Sequence, residues 1–279
     1  GIEDDFFELG GHSLKALKLI HQLKNSQGID IPIELLFENP TIEQLAEKLF
    51  SHELSASALQ HVSRLNPPAG LNLFCFPPIS GFGIFYKDLA VKLHGKATVY
   101  GFNFIEEDSR MEQYVNNIIE IQPQGPYILL GYSAGGNTAF EIVKEMEKRD
   151  LEVSDLIIVD SYQKKQALPP QPSSVSAENV PAHLREAIIK KMTNYQKYWA
   201  KLINDGRVDA NIHFIEAGIQ TEQSGTTALQ KWSDATTRSY QEYKGAGPHK
   251  DMFETPYLSK NAGIIQKIVA ISGKRLELH

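Results

Sequence analysis

The feature that most constrains this chain is Gly131-Tyr132-Ser133-Ala134-Gly135, which follows directly on the apolar run Tyr127-Ile128-Leu129-Leu130 and leads into an amphipathic stretch. A strand turning this abruptly into a helix places its serine in a strained backbone conformation, and glycines on either side let strand and helix approach closely. Such a nucleophile elbow leaves the hydroxyl exposed at the end of a sheet, which makes Ser133 the candidate for covalent chemistry. The rest of the chain supplies the sheet. Apolar runs at 71–76, 97–104, 127–132, 155–160 and 212–217 alternate with amphipathic stretches near 84–93, 109–122, 136–149 and 256–271. That alternation predicts an α/β fold, a mostly parallel sheet with helices on both faces.

A length of 279 residues with 42% hydrophobic side chains leaves room for one large domain and one small one. Residues 1–54 read as the small one. Leu14, Leu17, Ile20 and Leu23 recur at helical spacing behind Ser13, and Thr41 stands as a cap ahead of Leu45, Ala46 and Leu49. Within residues 1–60 lie ten acids and four lysines, so the whole net charge of −6 resides there and the remainder balances at zero. Such a piece either docks on a positively charged partner or is a solvated helical face; a basic footprint for nucleic acid is missing. Residues 55–69, rich in Ser, Ala, Pro and Asn, read as a linker. Residues 70–279 form the large domain.

The connection from Asp160 to the strand near Ile212 is too long for a simple crossover, which predicts an insertion at about 162–208. Its stripe Val180, Leu184, Ile188, Met192, Tyr195, Trp199 and Leu202 suits a helix that is either core or a lid over the serine. Cys75 is the single cysteine, so no intrachain disulfide forms, and no apolar run nears the ~20 residues that cross a bilayer. With an acidic rather than basic N-terminus, the expectation is a soluble, cytoplasmic protein acting as a monomer.

Ser133 needs a base and an orienting acid beyond the carboxyl ends of strands. Asp160 closes the run Leu156-Ile157-Ile158-Val159, whereas Asp155 begins it and Asp209 precedes its own strand. His249 lies in the loop Gly245-Ala246-Gly247-Pro248-His249, while His213 sits inside the alternating run Asn211-Ile212-His213-Phe214-Ile215 and reads as a strand residue. The order Ser133, Asp160, His249 is that of α/β-hydrolases. For the oxyanion hole, Ala134 presents an amide at a helix N-terminus. In the loop after the first parallel strand Pro77 and Pro78 have no N–H, so Ile79 is the first residue able to donate.

Residues from about 70 onward resemble the terminal thioesterase domains of non-ribosomal peptide synthetases. The resemblance rests on Phe76-Pro77-Pro78, on Gly131-Tyr132-Ser133-Ala134-Gly135-Gly136, on Val159-Asp160-Ser161 and on Gly247-Pro248-His249, and is nearest to lipopeptide-cyclising members of the surfactin and fengycin type. Residues 2–50 resemble a peptidyl carrier domain through Asp5-Phe6-Phe7-Glu8-Leu9-Gly10-Gly11-His12-Ser13-Leu14. It implies an α/β-hydrolase fold with a helical lid insertion behind an all-α carrier, with 4'-phosphopantetheine attached to Ser13. It further implies a peptidyl thioester substrate, upstream synthetase domains and a phosphopantetheinyl transferase as partners, and release by macrocyclisation to a lactone through a Ser133 acyl-enzyme. Carrier domains of the family begin with a helix well upstream of the Asp-Phe-Phe segment. A carrier starting at Gly1 is therefore expected to be truncated, marginally folded and poorly modified, an expectation that quantitative loading of Ser13 would overturn. Hydrolytic release of a linear acid remains an alternative, as does a free-standing serine esterase or lipase, which has no use for Gly-Gly-His-Ser-Leu. Neither His-Glu-x-x-His nor a paired-cysteine spacing occurs, so a metal mechanism is disfavoured and no metal ligands are assigned.

Overall fold

A computed structural model describes residues 1–27, 31, 33–50, 61–169, 182–219 and 229–276. Three helices come first: α1 (Ser13–Gln27), α2 (Ile33–Glu38) and α3 (Ile42–Phe50). They close around Ala16, Ile31, Leu35, Leu36, Phe37 and Leu45, and Thr41 caps α3 by accepting from the Gln44 amide at 3.1 Å. This small core also meets the large domain, with Ile84 packed against it and the Lys87 ammonium 5.4 Å from the Phe7 ring centroid.

The large domain is an α/β-hydrolase fold. Its strands are β1 (Val62–Arg64), β2 (Asn72–Phe76), β3 (Thr98–Phe102), β4 (Tyr127–Tyr132), β5 (Val153–Val159), β6 (Gln163–Lys164), β7 (Asn211–Glu216), β8 (Leu229–Gln230) and β9 (Tyr240–Lys244). Its helices are α4 (Lys87–Lys92), α5 (Arg110–Ile121), α6 (Ala134–Glu147), α7 (Ala182–Lys201) and α8 (Leu258–Leu276). Among the described residues seven strands form one sheet in the order β1-β3-β2-β4-β5-β7-β9, all parallel except β1, which pairs antiparallel with β3.

Alternation along each strand explains why the central runs are apolar throughout. Phe74, Phe76, Leu129, Leu156 and Ile158 face one cluster with Tyr114 and Ile118 of α5 and Phe140 and Val143 of α6. Their neighbours Leu73, Cys75, Leu130, Ile157 and Val159 face a second cluster with Leu89 of α4 and Ile265 and Ile268 of α8. Both faces are covered, so no polar alternation survives. After β2 the chain first adds β3 on one side, then β4 on the other. The strand order therefore reverses between β2 and β4, and in open α/β sheets the crevice beyond the carboxyl ends at such a point is where ligands bind.

Two expectations need correction, and one edge strand carries no sequence signal. Of the linker at 55–69, residues 55–60 lie outside the described residues, but Val62–Arg64 is an edge strand, and Leu65 and Asn66 are buried. Asn66 donates to the Ala90 and Ala97 carbonyls at 3.0 and 2.9 Å and accepts from the Val99 amide at 2.8 Å. A three-residue strand carries no readable period, and Asn66, Pro67 and Pro68 just after it mimic a linker. The insertion does not fill 162–208. Gln163–Lys164 pairs antiparallel with Leu229–Gln230, and Asn204 and Val208 are buried in the body of the domain. Helix α7 is the part that lies against the site, and Val180 falls outside the described residues. Finally, β9 was not anticipated, because this edge strand, Tyr240-Gln241-Glu242-Tyr243-Lys244, is half solvated and shows no apolar run.

Lys164 anchors the end of α7. Its buried ammonium donates to the Trp199 carbonyl and, at 3.3 Å, to that of Ala200, and sits 4.1 Å from the Trp199 ring centroid. It thus caps a helix C-terminus, where the dipole favours a cation, yet burial pushes its pKa down from 10.5 to about 8. Between those two values the unfolded chain holds the extra proton, so stability rises with pH through that window. Denaturant unfolding at pH 7 and pH 10 should therefore shift the stability difference between wild type and Lys164→Met in favour of wild type at the higher pH.

Candidate active site

The elbow has the backbone its sequence implies. Ser133 adopts φ 55° and ψ −128° between β4 and α6, a region that non-glycine residues rarely occupy. It is held there by its amide donating to the Val159 carbonyl at 3.1 Å and its carbonyl accepting from the Gly136 amide at 3.0 Å. A side chain at Gly131 would put its Cβ 2.2 Å from the Gly135 carbonyl oxygen, and one at Gly135 would lie 2.3 Å from that of Phe76. These close approaches bring the loop after β2 onto the first turn of α6.

Ser133, Asp160 and His249 converge. His249 Nε2 lies 3.1 Å from Ser133 Oγ, and its Nδ1 lies 2.7 Å from Asp160 Oδ2. Asp160 follows β5 with φ 42°, is nearly buried, and accepts the Ala217 amide on Oδ1 at 2.8 Å. With one carboxylate oxygen tied to the backbone, the other is fixed toward the imidazole, which sets the tautomer placing the Nδ1 proton on the Asp160 side. The His249 side chain is 43% exposed, so the imidazole opens to the crevice. Hydroxyl, imidazole and carboxylate in this relation can generate a serine alkoxide equivalent at neutral pH.

The residues expected to supply the oxyanion donors pack in one cluster. Ala134 opens α6, where its amide has no partner one turn back. Ile79 lies in the turn after Pro78, its amide donates to no backbone carbonyl among the described residues, and its side chain packs in one cluster with Ala134, Phe104 and Tyr195. Ser13 lies elsewhere, as the first residue of α1 after Gly10, whose φ is +85°, and Gly11, where a Cβ would lie 2.3 Å from the Phe6 carbonyl oxygen.

The rival residues form a separate structural pair. His213 Nε2 is 2.8 Å from Asp155 Oδ1 and its Nδ1 is 3.1 Å from the Tyr243 hydroxyl, with Arg275 of α8 reaching Asp155 at 3.3 Å. Both are buried within β7 and β5 rather than beyond the strand ends. What sequence reasoning missed is the aromatic support. The buried Tyr86 hydroxyl donates to the Phe76 carbonyl at 2.5 Å and accepts the Tyr132 amide at 3.1 Å, tying the end of β2 to the end of β4. Tyr132 in turn donates to the His249 carbonyl, and its ring packs between Phe85 and Phe253 at 5.2 and 5.0 Å. The only signal was Tyr132 inside the elbow motif itself.

Comparison with known proteins adds the lineage. Residues 71–242 match the family model described as a thioesterase domain, and residues 1–49 match a phosphopantetheine attachment site. The chain belongs to the thioesterase domain family. Tyrocidine synthase 3 of Brevibacillus parabrevis is 36% identical over 300 residues, covering 96% of this chain and 4% of that protein. Surfactin synthase subunit 3 of Bacillus subtilis is 36% identical over 279 residues, covering 95% and 21%. The chain thus spans a small fraction of the curated relatives it matches. Among solved structures, the thioesterase domain SrfTE, described as cyclising the lipopeptide antibiotic surfactin, has a TM-score of 0.69 and 30% identity, with 77% of this chain and 98% of that one covered. No helix among the described residues is long and apolar enough to cross a membrane.

Ser133→Ala should abolish labelling by a fluorophosphonate. Asp160→Asn should slow it about a thousandfold or more while leaving the melting temperature near wild type, because the asparagine amide turns the imidazole to the wrong tautomer; unchanged labelling kinetics would remove Asp160 from the site.

Proposed function

We propose that this chain releases a peptide from a non-ribosomal peptide synthetase through a Ser133 acyl-enzyme, by closing the peptide into a macrolactone. The observation that carries this reading is the Ser133–His249–Asp160 relay at the strand-order reversal, in a chain whose front piece matches a phosphopantetheine attachment site.

Ser13 is the residue that would bear the phosphopantetheine arm. It stands at the N-terminal end of α1, where helix amides favour a phosphate, behind a glycine turn too tight for side chains at Gly11. The arm supplies a thiol that carries the peptide as a thioester, and its attachment calls for a phosphopantetheinyl transferase. At the relay, His249 takes the proton of Ser133 as Oγ attacks the thioester carbonyl, and Ile79 and Ala134 amides hold the resulting oxyanion. The carbon–sulfur bond then breaks and the thiol departs with the proton from His249. In the second half a hydroxyl of the same peptide gives its proton to His249 and attacks the ester, and Ser133 leaves reprotonated.

Two observations support ring closure over hydrolysis. The face of α7 that meets the site carries Tyr195, Tyr198 and Trp199, an apolar cover that disfavours water. The domain is also similar to SrfTE, whose described reaction is a cyclisation, and from that likeness a lipopeptide is the substrate class we assign. Hydrolysis is the second reading, favoured by the 43% exposure of the His249 side chain, which lets a water reach the imidazole. A synthetic lipopeptidyl pantetheine thioester decides between them by mass spectrometry. The expected product has the mass of substrate minus thiol and is absent with Ser133→Ala; that mass plus water would replace cyclisation by hydrolysis.

A further inference from the structure

Helix α7 does more than cover the crevice, because one of its side chains is bonded into the oxyanion loop. Tyr195 is fully buried, and its hydroxyl lies 2.9 Å from the Pro77 carbonyl oxygen and 3.0 Å from Thr138 Oγ1. A carbonyl can only accept, so the single phenolic proton goes to Pro77, and the one proton of the Thr138 hydroxyl is shared between the phenol oxygen and the Ala134 carbonyl, a three-centre arrangement at a helix N-terminus. Thr138 sits one turn along α6 from Ala134, and its Oγ1 is also 3.1 Å from the Ala134 carbonyl. Pro77 lies two residues before Ile79. One hydroxyl therefore touches the backbone leading to one oxyanion amide and, through Thr138, the helical turn that carries the other.

The surroundings hold this hydroxyl in place. The Tyr195 ring stacks on Phe104 with centroids 4.2 Å apart and planes 11° from parallel, and Ile79 and Ala134 pack in the same cluster. Lys191 of α7 donates to the Phe104 carbonyl at 3.0 Å, and Asn194 donates to Glu106 at 2.6 Å, fixing the helix along the segment after β3. Burial raises the Tyr195 pKa well above its ordinary value, so the donor stays protonated at any working pH.

We propose that Tyr195 is a positioning residue for the oxyanion hole: its hydroxyl bridges the Pro77 carbonyl and Thr138, and so aligns the Ile79 and Ala134 amides on one oxygen only when α7 is seated. The proposal rests on the acyl-enzyme reading above. Its consequence is a coupling between cover and chemistry. With α7 lifted, Pro77 loses its donor and the loop is released from α6, so acylation is fast only in the state that also excludes water.

Tyr195→Phe keeps the ring and its stack on Phe104 and removes only the bridge. With a peptidyl pantetheine thioester, kcat should fall about 10- to 100-fold while KM changes by less than about twofold. Affinity for a peptidyl boronic acid, which mimics the tetrahedral intermediate, should fall by the same factor, with binding of an uncleavable amide analogue unchanged. Thr138→Val should lower kcat in the same sense, and the double variant should be no slower than Tyr195→Phe, because both act through one bridge. A lowered melting temperature with unchanged kcat, or equal loss of boronate and amide binding, overturns the assignment. Fluorophosphonate labelling of the same preparations separates the two readings. Labelled wild type with unchanged Tyr195→Phe kinetics overturns the positioning role alone, and unlabelled wild type overturns the acyl-enzyme reading and the role with it.

Discussion

The site depends on one close contact between backbones, the loop after β2 lying on the first turn of α6. Gly135 makes it possible, since any side chain there would strike the Phe76 and Pro77 carbonyl oxygens at 2.3 and 2.8 Å. The same approach forces the strained turn at Ser133, with φ 55°. Strain of this size persists only where surrounding structure over-determines it, and here the surroundings are the parallel strands β2, β4 and β5 with their two apolar clusters. The elbow and the loop after β2 lie together because β2 and β4 are neighbours where the strand order reverses.

Polar groups buried around the crevice are paired in ways that lock these segments to one another. Tyr86 joins the ends of β2 and β4. Asn137, one turn into α6 from Ser133, donates to the Tyr162 carbonyl and to Asn204 Oδ1 at 2.8 and 2.7 Å and accepts from the Trp199 indole at 2.8 Å. That single amide links the helix of the elbow, the chain after β5 and the end of α7. Satisfied networks of this kind specify one arrangement, because any slip leaves a buried donor or acceptor unpaired. The Lys164 ammonium serves the same end of α7 at a higher electrostatic cost.

Chemistry and cover are thereby joined in one piece of structure. Helix α7 packs aromatic rings in one cluster with Ile79 and Ala134, the residue after Ser133, and is bonded through Tyr195 to the loop after β2. On the reading proposed above, an ester has to stay intact until an internal hydroxyl arrives, and an apolar helix bonded to the loop after β2 would serve that need. The front helices touch the same domain at Ile84 and Lys87, on the stretch leading into and beginning α4.

Much was legible in the sequence because the signals were local. Continuous apolar runs marked the strands buried on both faces, Gly-Tyr-Ser-Ala-Gly marked the elbow, and a carboxylate closing a strand and a histidine in a glycine-rich loop marked the other two groups. The missing N–H groups of Pro77 and Pro78 pointed to Ile79 by elimination. Edge strands β1 and β9 stayed hidden, since three residues carry no period and a half-solvated strand has no apolar run. The extent of the insertion was misread because the polar Gln163, Lys164 and Asn204 look like loop, although all three are buried and bonded to one another, Gln163 through its Nε2 to the Asn204 carbonyl and the Lys164 amide to Asn204 Oδ1. Only the fold decides that Tyr195 meets Pro77 across 118 positions, that Ala217 fixes the carboxylate of Asp160, or that His213 is paired with Asp155 away from the site. Residue type and spacing announce what a group can do, while long-range contacts, which leave no periodic trace along the chain, decide what it faces.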